Sequence, residues 1–155
     1  MQTTIDLIIA TLRLGMTTGY QDSDDFYVKT WYTGDPLALP ALESPAGAVI
    51  PKPPTSRLIE FVGLDTITET FAIRLYQLAV RKVTEDPETA SGVTRLISML
   101  EKAQLLLRVD PTFSSSFVMT EIRSVDPMLG GVPGADIYRM GEIMFEVKRR
   151  ALWGS

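Results

Sequence analysis

The sequence predicts an α+β domain, a mixed or antiparallel sheet of about five strands flanked by two helices. Three observations carry that reading. Two stretches repeat apolar residues at helical spacing. Several others concentrate or alternate β-branched and aromatic residues. Helix, strands, helix and strands then follow one another in an order that makes one compact module. The chain has 155 residues, one domain's worth, and a domain of that size buries about 68–70% of its unfolded surface. We therefore read residues 1–155 as a single domain.

The first helix is expected over residues 4–17. Thr3 or Thr4 is placed to cap it, and Asp6 falls in its first turn. Ile5, Ile8, Ile9, Leu12 and Met16 form its apolar stripe, and Gly15 and Gly19 weaken and end it. Residues 26–32, Phe26-Tyr27-Val28-Lys29-Thr30-Trp31-Tyr32, read as a strand closed by Gly34-Asp35-Pro36. Six of the ten prolines fall between Pro36 and Pro54. Proline fixes φ and removes a ladder donor, so residues 36–56 are expected to be an extended proline-rich arm. At most a short strand, Ala48-Val49-Ile50, interrupts it. The arm is read either as a surface excursion or as a segment that orders against a neighbouring subunit.

Strands are expected near 57–62 and 68–78. The second is ambiguous, because Thr70, Ile73, Tyr76 and Val80 fit a helical face while Phe71, Ile73 and Leu75 fit a strand face. Its β-branched and aromatic density, with no cap before it, favours a strand at least through Leu78. Thr84-Glu85-Asp86-Pro87-Glu88 opens a second helix over 88–108, with acids where the helix dipole favours them. Val93, Leu96, Ile97, Leu100, Ala103 and Leu107 mark its stripe, and Asp110-Pro111 stops it. Strands follow near 117–124 and 138–150. In the last, Ile143, Phe145 and Val147 alternate with Glu142, Met144, Glu146 and Lys148, the pattern of a sheet with one face on a core.

Composition excludes several chemistries. There is no cysteine, so disulfides and thiolate catalysis are absent from the chain. There is no histidine, which removes the commonest general base and transition-metal ligand. Ser-His-Asp and Cys-His sites cannot form within it. No cofactor and no catalytic residue is expected. The net charge of −4 argues against free nucleic acid as a partner of the whole surface. No apolar run approaches the ~20 residues of a membrane helix, so no membrane partner is expected. Met1-Gln2-Thr3-Thr4-Ile5-Asp6 carries no basic leader, so synthesis in the cytoplasm is expected.

Each motif also has a structural explanation. Asp22-Ser23-Asp24-Asp25 reads as a solvated loop, since the glycine and closing glutamate of a calcium loop are missing. Gly130-Gly131-Val132-Pro133-Gly134 lacks the Lys-Ser/Thr of a phosphate loop and reads as a turn between strands, with Asp126 and Asp136 as flanking turn residues. Lys148-Arg149-Arg150 is a basic cluster at a strand end, suited to solvent, to an acidic partner surface or to passing DNA. Trp31 fits a core role. Trp153 has less opportunity to be buried by its own chain and suits an interface. The interface candidates are thus Asp22, Asp24, Asp25, Pro51, Pro53, Pro54, Lys148, Arg149, Arg150 and Trp153. No metal ligands are expected.

The order of elements, the Pro51-Lys52-Pro53-Pro54 arm, the Asp110-Pro111-Thr112-Phe113 helix exit and the closing Phe145-Glu146-Val147-Lys148-Arg149 strand resemble the tail terminator and tail completion proteins of long-tailed bacteriophages. The resemblance is one of pattern and length over most of the chain. It implies an α/β subunit that assembles as a hexameric ring, caps the tail tube and docks it to the head connector. It implies a homo-oligomer with the tail tube protein and the head–tail connector protein as partners, DNA only as it passes the lumen, and a place in the virion after assembly in the host cytoplasm. The acidic-to-proline stretch from Gln21 to Pro54 departs from the family pattern. Another head–tail joining or tube-like virion protein, and more distantly a non-viral ligand-binding α/β domain, stand as alternatives.

Overall fold

A computed structural model describes residues 2–36, 44–61, 64–78, 93–129 and 138–152. They form helix α1 (Gln2–Met16), strands β1 (Thr30–Thr33), β2 (Ala46–Phe61) and β3 (Leu64–Leu78), helix α2 (Val93–Val109), and strands β4 (Met119–Leu129) and β5 (Tyr138–Leu152). The five strands make one mixed sheet in the order β1-β2-β3-β5-β4. β1 pairs parallel to β2, and every other pairing is antiparallel. The fold is therefore the expected α+β class.

Both helices pack on one face of the sheet. Alternation in the strands decides which residues meet them. Phe71, Ile73 and Leu75 of β3 stand opposite Phe145, Ile143 and Gly141 of β5. They close the core with Ile8, Leu12 and Met16 of α1 and Leu96, Met99, Leu100, Ala103 and Leu107 of α2. The expected α1 stripe is buried throughout. Two glycines mark close approaches. A Cβ on Gly15 would lie 2.5 Å from the methyls of Leu106, and one on Gly47 would lie 2.4 Å from the Trp31 ring. Gly15 thus serves helix contact inside α1, and the left-handed Gly19 (φ 81°) follows the helix end. Because α1 begins at Gln2, Thr4 is inside the helix and buried rather than its cap.

Four further expectations need correction. The strand expected over 26–32 is reduced to Thr30–Thr33. Phe26 and Tyr27 precede it in a turn, where Tyr27 N donates to Asp24 O, Phe26 packs edge-on to Tyr20 and Lys102 Nζ lies over its ring. Aromatic content there serves packing onto the helices, not a ladder. Phe117 likewise sits in the turn before β4, stacked near Phe113, so β4 starts at Met119 and runs past the expected end at 124 to Leu129. Ile97, assigned to the α2 stripe, is 41% exposed.

The fourth correction is the largest. The arm expected over 36–56 is, from Ala46 onward, a strand inside the sheet. Its prolines fit for a geometric reason. Lys29 N donates to Pro45 O and Gly34 N donates to Val49 O. Alternate residues of a strand turn their backbone polar groups to the same edge. Pro51 and Pro53 therefore face the edge beyond the end of β1, where no ladder donor is required. The register then shifts between Lys52 and Ser56, so that Pro53-Pro54-Thr55 bulges opposite Glu69. Residues 37–43 of the arm, the helix start at 84–88, the glycine loop at 130–134, Asp136 and Trp153 lie outside the described residues.

Candidate functional site

The basic cluster at the end of β5 divides across the sheet. Arg149 shares a face with Ile143, Phe145 and Val147 and so points to the helices. There its Nε donates to Glu69 Oε1 at 2.6 Å. The Glu69 side chain is 1% exposed and also accepts from Thr4 Oγ1 at 3.3 Å. The pair ties α1 to β3 and β5. Arg149 is a structural cation. Lys148 and Arg150 point the other way, to the opposite face of the sheet.

The acidic loop is also partly engaged within the chain. Arg95 Nη2 reaches Asp22 Oδ1 at 3.1 Å and Asp22 O at 2.9 Å. Asp24 Oδ2 accepts from Gln21 N at 3.0 Å, a local turn. Asp25 remains exposed. Asp22 thus holds the 20–28 connection against α2, and Asp24 closes the turn within it. Among the described residues no group of three or more acidic side chains is placed to hold a metal ion.

Charge on that opposite face is organised in networks. Arg74 Nε donates to Glu142 Oε2 at 2.7 Å and its Nη1 lies 3.4 Å from Asp35 Oδ2. Burial opposes the Arg74 charge, but hydrogen bonds with Glu142 and Tyr76 outweigh it and its pKa is raised. Burial pushes the Tyr76 phenol up. Arg123 Nε and Nη2 donate to Glu146 Oε2 at 3.2 and 3.1 Å, and its Nη1 lies 3.5 Å from Glu121. Asp126 lies in β4 and has a partner.

The outside of the helix layer carries uncovered apolar surface. Leu14 is 72% exposed, Leu105 60% and Val109 75%. Leu105 and Val109 lie one turn apart on α2. Beside them a groove of about 420 Å³ is walled by Leu7, Leu106, Val109 and Phe113. Its rim is the turn after α2, where Phe113, Ser114 and Ser115 have φ of 47°, 56° and 69°. Three successive non-glycine residues in that region are strained. Asp110 holds them there, its carboxylate accepting from Ser114 N at 2.6 Å, Thr112 N at 3.1 Å and Thr112 Oγ1 at 2.9 Å. These bonds, that from Ser114 N foremost, hold its pKa below the ordinary carboxylate value.

Sequence reasoning missed Glu69 and the apolar residues outside the α2 stripe. Glu69 shares parity with Phe71 and Ile73, which is a readable sign of a buried acid. Leu105 and Val109 are apolar positions off the stripe, equally readable. No protein-family profile matches the chain, and no curated protein matches it.

Proposed function

We propose that the chain is a structural subunit of a phage neck, assembling as a closed ring that caps the tail tube and joins it to the head connector. The observation that carries this reading is the uncovered apolar surface of Leu14, Leu105 and Val109 beside the Leu7–Phe113 groove. Exposed apolar residues grouped around a groove mark a surface that association completes. The rim of that groove is held in its strained conformation by the Asp110 carboxylate. The missing histidine and cysteine and the pattern resemblance to tail terminators support the same reading. A ring needs heterologous contacts between different faces of each subunit. The apolar helix face supplies one of them.

The test is assembly state. Leu105→Glu with Val109→Glu places two charges on exposed positions and should leave the fold stable within about 0.5 kcal/mol. Native mass measurement should find rings of the unaltered chain and monomers of the double variant. Rings of undiminished yield from the double variant would remove this face from the assembly. A second reading, a small-molecule site, rests on the same groove, whose volume falls in the usual ligand range of ~300–1,000 Å³. It requires a monomer that takes up an apolar dye in that groove.

A further inference from the structure

We propose that the apolar helix face is covered by the β4–β5 edge of a second copy of the chain, with Met119 of that copy seated on Leu105. This rests on the neck reading for the association of copies, and adds the surface that meets the helix face. The chain carries a second exposed apolar site, where Val118 is 44% exposed and Met119 54%. Met119 opens the edge strand β4. It stands directly across from Lys148, while Thr120 beside it stands across from Val147 of the core. Met119 and Lys148 therefore share the face of the sheet turned away from the helices. Leu105 lies on the outside of the helix layer. The two apolar sites thus lie on opposite sides of the layers, where only a second copy can bring them together.

Charge fixes the pairing. On α2, Glu101, Leu105 and Arg108 follow one another along one exposed stripe. Glu101 and Arg108 are about 10 Å apart along the axis, too far to pair with each other. On the sheet, Met119 stands between Lys148, about 5 Å away across the ladder, and Glu121, about 7 Å away along β4. Each surface thus carries a charge, an apolar residue and the opposite charge over a similar length. Laying Met119 on Leu105 with that diagonal along the helix brings Lys148 to Glu101 and Glu121 to Arg108. Among the described residues Glu101, Arg108 and Lys148 form no ion pair, and Glu121 has an exposed 3.5 Å contact with Arg123. Two copies of α2 packed antiparallel would also match Glu101 with Arg108. That contact leaves Val118 and Met119 bare, whereas the head-to-tail contact covers both apolar sites. A methionine suits the seat, because its unbranched side chain fills irregular apolar surface.

The test exploits a chain without cysteine, in which engineered thiols are the only ones present. Full-length Leu105→Cys and Met119→Cys, both at exposed positions, are oxidised in air singly and as an equimolar mixture, and linked species are read on a non-reducing gel. A disulfide needs Cβ atoms about 3.5–4.5 Å apart. The mixture should give linked dimers several-fold above either variant alone. It should equally exceed Met119→Cys mixed with Asp25→Cys, an exposed position in the 20–28 connection. Glu101→Lys in the Leu105→Cys chain should lower the yield several-fold, and Lys148→Glu in the Met119→Cys chain should restore it. Leu105→Cys linking to itself as well as in the mixture, or a mixture no better linked than the Asp25 control, would overturn the assignment. Fixed oligomers in native mass measurement without the mixed disulfide sink this inference and leave the neck reading standing. A Leu105→Cys/Met119→Cys chain that links into an open ladder of no limiting size does the reverse.

Discussion

Replacing Arg149 by alanine is the perturbation whose outcome the structure sets most clearly. Glu69 is 1% exposed, and Arg149 Nε lies 2.6 Å from its carboxylate. Removing the cation of a buried pair strips the carboxylate of that attraction and typically costs ~3–5 kcal/mol. The Arg149 side chain is 27% exposed, so water already screens part of the interaction, and we expect about 2–4 kcal/mol. At this chain length about 3 kcal/mol lowers the melting midpoint by ~6–12 °C. Urea unfolding followed by tryptophan fluorescence measures it. The double variant Glu69→Leu/Arg149→Met removes both charges with similar volume and should return to within ~1 kcal/mol of the unaltered chain. A loss below ~1 kcal/mol for Arg149→Ala, or a double variant no better than the single, would refute the claim that this cation is structural.

Two other outcomes follow from local geometry. Gly47→Ala puts a Cβ 2.4 Å from the Trp31 ring, which cannot retreat freely because its Nε1 donates to Thr17 Oγ1 at 2.9 Å; overpacking of this kind costs ~1–3 kcal/mol, read as a lowered urea midpoint. Asp110, with its pKa held down in the fold mainly by Ser114 N, contributes stability that is present above its unfolded value and lost as pH falls through its folded value. The protection factor of the Ser114 amide, taken against its intrinsic rate at each pH, should therefore fall in acid in the unaltered chain, and Asp110→Asn should lower it already at neutral pH; protection unchanged by the substitution would contradict this.

Much of the fold was legible because periodicity and burial agree. β3, the ambiguous segment, forms a strand to Leu78 as its β-branched density required, and β5 follows its alternation through residue 150 to Leu152. The α2 stripe lies buried at Leu96, Leu100, Ala103 and Leu107. The proline-rich stretch misled because proline content says nothing of parity. Pro51 and Pro53 happen to face the edge where a missing N–H costs nothing, and a bulge absorbs Pro54. Removing residues 36–54 would therefore take out half of a strand that joins β1 to β3, not a dispensable arm. The candidate site was less legible. Alternation in β5 alone separates Arg149 from Lys148 and Arg150, a signal present in the sequence.

The central claim, a ring subunit completed by its helix face, is tested most directly by native mass measurement of the purified chain across a concentration series. The expected result is one closed oligomer of fixed subunit number, which Leu105→Glu/Val109→Glu reduces to monomer without unfolding it. A chain that stays monomeric at every concentration, or an oligomer indifferent to those two substitutions, would contradict it.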